Sequence, residues 1–372
     1  MTTTLRAREP RDLLALIPHQ LGFAPERSAV ALSLRPPRAR VGLAARVDLA
    51  DLVDPSTGAQ MSRTLVSHLA SDGATAAVLV LYVPEAVTER LPDELLGAVL
   101  RFEEACDPHL DLREVWVVDP TAYAEVHPDG YVGAAAPVGD LAESAVAAHL
   151  VFTGSSVVPD RASLAAPAPA PAARRGTAAR AARRSRQARA EAVAEAGETG
   201  LLSWRSAQVR TWRSLVAAVE PGTPPGAAAL GRLCAGLDDV VVRDAVLLSL
   251  VSEVGDLPEA SLLGSGAQGT EDRTGWAISC IVDPVVGVAP SPELVHPARR
   301  VLSELVAHRA GRPAAPTLLA LLAWWEGSGA AADAWLERAA AADPDYRLAA
   351  LLRQAVDAGM PPGWVRSRRA RD

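Results

Sequence analysis

The sequence predicts an α/β domain followed by an all-α, helical-repeat-like domain. The run TAAVLVLYV (Thr75–Val83) is apolar on both faces, and REVWVVD (Arg113–Asp119) repeats that character after an intervening helix-spaced segment. Strands with no polar face belong to the centre of a sheet covered on both sides. Beyond Leu201 nearly every segment has apolar residues at helical spacing, and an Ala/Pro/Arg-rich stretch separates the halves.

In chain order, Asp12 can cap a short helix through Ile17, which Pro18 is expected to end. SAVALSL (Ser28–Leu34) and VGLAARVDL (Val41–Leu49), joined by RPPRAR, read as an antiparallel hairpin. A helix fits Gly58–Ser71. The strand at Thr75–Val83 follows, then a helix at Pro92–Ala105 with Leu95, Leu96, Val99, Leu100 and Phe102 at helical spacing, then the strand at Arg113–Asp119. This order gives a mixed sheet with parallel central strands and an antiparallel hairpin at its edge. Tyr123–Tyr131 can add a hairpin turning at Pro128-Asp129-Gly130, and Ser144–Phe152 reads as a closing helix.

The expected division is residues 1–160 as the α/β domain, 161–200 as a linker and solvated helix, and 201–372 as the helical domain. Repeated Ala-Pro from Pro159 to about Arg175 marks a stiff connection. Helices are expected at Ser206–Val219, Gly226–Ala235, Asp239–Val254, Pro297–Arg309, Pro316–Glu326, Ala330–Ala342 and Tyr346–Ala358. Gly255–Pro290 is rich in Gly, Pro and Ser and reads as a long loop with one short element near Trp276–Val282. Within residues 314–362, Gly327, Ala332, Leu336, Ala339 and Pro344 fall where a tetratricopeptide unit places its turn glycine, packing alanines, large apolar residue and terminal proline. The resemblance implies paired helices whose concave face binds another protein, with Trp324, Trp325 and Trp335 as candidate anchors. The plainer alternative packs these rings inward against Leu318, Leu322 and Leu351.

Composition narrows the function. The 372 residues are 49% hydrophobic and carry eight tryptophans, enough for two cores. All basic residues are arginine, which points to a GC-rich bacterial genome. Net charge is −7, yet Arg174, Arg175, Arg180, Arg183, Arg184, Arg186 and Arg189 cluster with no acidic residue between Arg161 and Ala190. Setting those seven charges aside leaves the rest of the chain at −14, so only the arginines at Arg174–Arg189 (with Arg366, Arg368, Arg369 and Arg371) could attract nucleic acid. The plainer reading is a solvated segment pairing with Glu191, Glu195 and Glu198. Three scattered cysteines indicate neither a disulfide framework nor zinc, and a cytoplasmic location is expected. The apolar run before Pro18 is too short for a signal sequence, and no segment has the length of a membrane span.

PHQLGFAPERSAVALSLR followed by ARVDL, the later block ESAVAAHLVFTGSSVVPDRASL, and the ending AWWEGSGAAADAWLERAAAADPDYRLAALLRQAVDAGMPP resemble an actinobacterial family catalogued as a domain of unknown function, number four-one-nine-two. The resemblance covers most of the chain and implies no activity, substrate or catalytic residue. Some members carry a cysteine cluster where this chain has YVGAAAPVGD (Tyr131–Asp140), which has none.

Four residues are candidates for a ligand site. His19 and Gln20 adjoin Gly22 before the first strand, and could present donors where the backbone is open. The plainer reading buries Leu21 and Phe23, gives Gly22 a positive φ and lets His19 cap a helix carbonyl. Asp48 and Asp119 each end a predicted strand, and ligands of open α/β sheets bind beyond strand carboxyl ends. They could hold a cation or ribose if their strands are parallel neighbours; otherwise each makes a turn. Gly264-Ser265-Gly266-Ala267-Gln268-Gly269 matches GxGxxG without the flanking strand and helix that dinucleotide binding needs. No GxSxG occurs, and the histidines are scattered; His296 and His308 are about three turns apart, too far to share a metal. No catalytic residue, metal or cofactor is expected. The favoured reading is a non-enzymatic interaction protein docking another protein or its own first domain. The alternative is a ligand-binding or hydrolytic α/β domain with His19, Asp48 and Asp119 at its rim.

Overall fold

A computed structural model describes residues 9–86, 88–107, 109–263, 269–309 and 311–369. The chain forms two compact units, residues 1–161 and 162–372.

The first unit is a six-stranded mixed sheet flanked by helices. β1 (Ser28–Arg35), β2 (Arg40–Asp48), β3 (Ala76–Tyr82), β4 (Asp111–Val118), β5 (Ala122–Val126) and β6 (Ala136–Pro137) lie in the order β2-β1-β3-β4-β5-β6. Only β3 and β4 pair in parallel, joined across α4 (Asp93–Cys106). Every residue of β3 is buried, as its apolar run requires. Ala77, Leu79 and Leu81 on one face meet Leu65, Leu69, Val99 and Phe102 from α3 (Gly58–Ser71) and α4, with short α2 (Leu49–Val53) completing that layer. α1 (Pro10–Leu21) packs with α5 (Gly139–Ala142) and α6 (Ala145–Phe152).

β1 and β2 carry a bulge: Leu32 faces Ala44 and Leu34 faces Val41, leaving Gly42 and Leu43 both opposite Ser33. The buried Asp72 carboxylate holds it, accepting from Ser33 Oγ at 2.5 Å and from Leu43 N at 2.8 Å. A Cβ at Gly42 would come within 2.2 Å of Asp72 Oδ2, so glycine is required there for close approach.

One boundary differs from expectation. α1 runs one turn past Pro18, because proline forfeits a single intrahelical bond while the extra turn buries Leu21. Gly22 then ends it with φ 83°, its N–H donating to Pro18 O.

The second unit is all-helical, and it begins well before residue 201. The segment expected as linker and solvated helix is the first half of α7 (Ala172–Ala217), which breaks at Ala196 and Gly197 (φ 57°, ψ −130°). The two halves, 172–195 and 198–217, fold back on each other. Trp204 Nε1 donates to Ser185 O at 3.0 Å, the Arg189 guanidinium lies 5.7 Å from the centre of the Trp204 ring, and Gly200 abuts Ala192. Ala178, Ala181, Ala182 and Ser185 recur at helical spacing and are buried, and α8 (Ala227–Gly236) packs on this hairpin. The Ala-Pro stretch is also tied to this unit: Ala170 N donates to Ala307 O, and Arg338 Nη1 to Ala165 O.

α9 (Val240–Leu248) is shorter than expected and is followed by a one-turn α10 (Leu257–Ala260). The expected loop at Gly255–Pro290 contains a full helix, α11 (Thr270–Val282), because Ala277, Cys280 and Ile281 reach the core despite Gly275 in its middle. Gly264–Gln268 of the GxGxxG stretch lie outside the described residues, as do Arg371 and the side chains of Arg368 and Arg369. α12 (Pro292–His308), α13 (Ala314–Trp325), α14 (Gly329–Ala342), α15 (Arg347–Asp357) and α16 (Gly363–Arg369) complete the chain. Gly327, with φ 91°, makes the α13–α14 turn, and Ala332, Leu336 and Ala339 are buried in that pair.

Candidate functional site

β2, β3 and β4 run in the same direction, so Asp48 and Asp119 do reach the same edge of the sheet. They are not neighbours. Asp48 faces Ser28, Ser28 faces Tyr82 and Tyr82 faces Val118, so β1 and β3 lie between them. Three strand spacings put them about 14 Å apart, too far to share a cation or a ribose. Asp48 is exposed and accepts from Arg46 Nη2 at 2.5 Å. Asp119 Oδ1 accepts from Thr121 N, Thr121 Oγ1 and Ala122 N at 2.7, 2.8 and 2.8 Å, building the turn into β5.

His19 lies on α1, where its Nδ1 shares a 2.9 Å hydrogen bond with Ser155 Oγ instead of capping a carbonyl. Burial lowers its pKa below the usual 6.5. Gln20 Nε2 donates to Gly42 O at 3.5 Å, which sets it near the bulge, six residues along β2 from Asp48. Leu21 and Phe23 are buried and Gly22 has its positive φ. The four candidate ligand residues therefore do not converge.

A groove that the sequence did not signal opens at the opposite edge of the sheet. It has a volume of about 460 Å³ and is lined by Leu34, Pro36, Arg38, Ala39, Thr75, Ala76 and Arg113. Arg38 and Ala39 both have left-handed backbone (φ 66° and 51°), an uncommon pair for residues with a Cβ. Arg113 pairs with Asp111 at 3.5 Å. At the carboxyl edge, the Tyr82 hydroxyl is buried with no hydrogen-bond partner among the described residues, and burial raises its pKa well above the tyrosine range. Among the described residues no group of three or more His, Cys, Asp or Glu could hold a metal ion, and no helix is long and apolar enough to cross a membrane.

In the second unit Trp324, Trp325 and Trp335 are all buried, at 5%, 1% and 7% exposure, in a core with Leu318 and Leu322. Leu351, expected beside them, is half exposed. The indoles also fasten backbone: Trp324 Nε1 donates to Met360 O at 2.8 Å, Trp325 Nε1 to Val288 O at 2.9 Å, and Trp364 Nε1 to Trp325 O at 2.7 Å. A run of exposed apolar side chains lies elsewhere in this unit, on Trp276, Ile278 and Val282 of α11 and on Val285, Val286 and Val288 just after it. From sequence that stretch reads as a long loop with one short element near Trp276–Val282.

Residues 10–274 and 276–363 match the sequence model of a domain of unknown function, DUF4192. The match spans nearly the whole chain, so the protein belongs to that family. No curated protein and no solved structure matches the chain.

Proposed function

We propose that this chain is a non-catalytic interaction protein of the actinobacterial cytoplasm, and that its helical unit docks another protein. The observation that carries the reading is the exposed apolar run of α11 and the segment after it, Trp276, Ile278, Val282, Val285, Val286 and Val288. Six large apolar side chains on one short stretch exceed the scattered single exposures of an ordinary surface. The α13–α14 pair supports a tetratricopeptide-like frame, with a glycine turn, buried alanines and Pro344 directly beyond α14. Three free, buried cysteines fit a reducing compartment.

The test is affinity capture with the full chain and with an Ile278→Asp, Val285→Asp variant, read beside thermal melting. Both side chains are exposed, so the variant keeps its melting temperature while losing a partner that the unmodified chain retains. Identical capture by both proteins refutes the reading.

A further inference from the structure

We propose that the outward face of the first half of α7 binds the phosphate backbone of double-helical nucleic acid. Of the seven arginines there, three serve the fold. Arg174 Nη2 donates to Pro225 O at 2.5 Å, Arg186 pairs with Asp238 at 2.9 Å, and Arg189 reaches Asp239 at 3.4 Å while covering Trp204. The other four, Arg175, Arg180, Arg183 and Arg184, are exposed. Among the described residues none of them forms an ion pair; Arg180 only donates to Thr177 Oγ1 at 3.2 Å. Glu191, the nearest carboxylate in sequence, accepts from Gln187 instead.

Helical periodicity sets Arg180, Arg183 and Arg184 opposite the buried stripe Ala178, Ala181, Ala182 and Ser185, while Arg175, one turn before Ala178, is exposed at the start of the helix. From Arg175 to Arg184 they extend about 13 Å along the axis. The placement opposes local helix energetics. Arg175 stands in the first turn, at the positive end of the helix dipole, and no acidic residue offsets it. Arg180 repels Arg183 and Arg184 at i,i+3 and i,i+4. Four unneutralised guanidiniums on a chain of net charge −7 concentrate a positive field that an anionic polymer relieves.

The surroundings select the polymer. No aromatic side chain stands among these arginines, and Trp204 is buried, so single-stranded bases find nothing to stack on. Between Arg175 and Arg184 the exposed face carries no large apolar residue, the exposed Val193 lying beyond them, and the opposite face is packed on α8, so this stretch has nothing to insert into a lipid surface. A rigid helix presenting guanidiniums suits a duplex, whose phosphates need no base contact and whose major groove admits an α-helix.

The experiment follows anisotropy of a labelled random-sequence duplex bound by the full chain and by the variant Arg175→Gln, Arg180→Gln, Arg183→Gln, Arg184→Gln. Four phosphate contacts predict a slope of about −3.6 in log affinity against log salt, or roughly a 10²-fold loss between 50 and 200 mM. The variant loses most of that slope and binds at least tenfold more weakly at low salt (a loss on the order of one or more phosphate contacts), with an unchanged or raised melting temperature. Absence of duplex binding at low salt, equal binding by both proteins, tighter binding of a single strand, or binding of phosphatidylglycerol vesicles without binding of duplex would each overturn the proposal.

Discussion

Gly231 of α8 lies so close to Ala178 of α7 that a Cβ at position 231 would sit 2.1 Å from the Ala178 carbonyl oxygen. Backbone atoms cannot yield as a side chain does, so Gly231→Ala must separate the two helices. Alanine is the better helix former by about 1 kcal/mol, yet the variant is expected to lose about 1–3 kcal/mol through overpacking. Urea unfolding decides between these opposite signs. A more stable Gly231→Ala protein would show that the helices are not in this contact.

That contact also fixes where the second unit must start. A fragment beginning at Ala162 keeps the α7 hairpin and is expected to melt cooperatively. One beginning at Leu201 removes the half-helix that Trp204 bonds and that α8 packs against, and is expected to melt broadly or precipitate. Calorimetry of the two fragments separates the outcomes; equal cooperative melting would place the boundary at residue 201.

The first half of α7 is only partly legible in the sequence. Ala178, Ala181, Ala182 and Ser185 carry little hydrophobic signal, so by composition the segment reads as a solvated helix after a linker. Their i, i+3, i+4, i+7 spacing was the available clue, since small side chains are what permit Gly231 to approach. The central sheet was more legible. β3 lacks a polar face, and only a central strand tolerates that. Asp48 ends β2 and Asp119 directly follows β4, but strand order follows from pairing between distant segments. Nothing local in the hairpin says that β1 will insert beside β3 and separate the two carboxylates.

The three tryptophans of α13 and α14 give a stability prediction. Each is buried, and Trp324 and Trp325 also fasten the backbone at Met360 and Val288. Truncation of any one to alanine should cost about 3–5 kcal/mol, with Trp325 the most severe. Thermal melting checks this, and a Trp335→Ala variant with unchanged stability would return that ring to the surface.

His19 sets a sign for acid sensitivity. Burial holds its folded pKa below 6.5, so the unfolded chain takes up the proton first as pH falls. Its contribution is full above about pH 6.5 and is lost on descending toward the lower folded value. Comparing pH-dependent melting of the parent chain and His19→Gln isolates this: the parent has the steeper fall below pH 6.5. Parallel profiles would remove His19 as a source.

Cysteine chemistry offers a direct check on both cores. Burial, aided by the charge of Glu103, pushes the Cys106 thiol up to about 12, and burial also raises Cys234 and Cys280. At pH 8 a thiol reagent is expected to label the native protein very slowly and all three cysteines once urea unfolds it. Rapid labelling of one native thiol would locate an opening in its unit.

The bulge at Gly42 and Leu43 bears on how the chain behaves at high concentration. β2 is the outermost strand on its side of the sheet, nine residues long and without proline, the kind of border on which another chain can add a strand. An extra residue kinks that border, and Asp72 keeps the kink in place from the neighbouring helix end. Weakening Asp72 as an acceptor, as in Asp72→Ala, would let β2 straighten. The first symptom would be concentration-dependent light scattering at temperatures where the protein is still folded, so this one buried carboxylate protects solubility as much as structure.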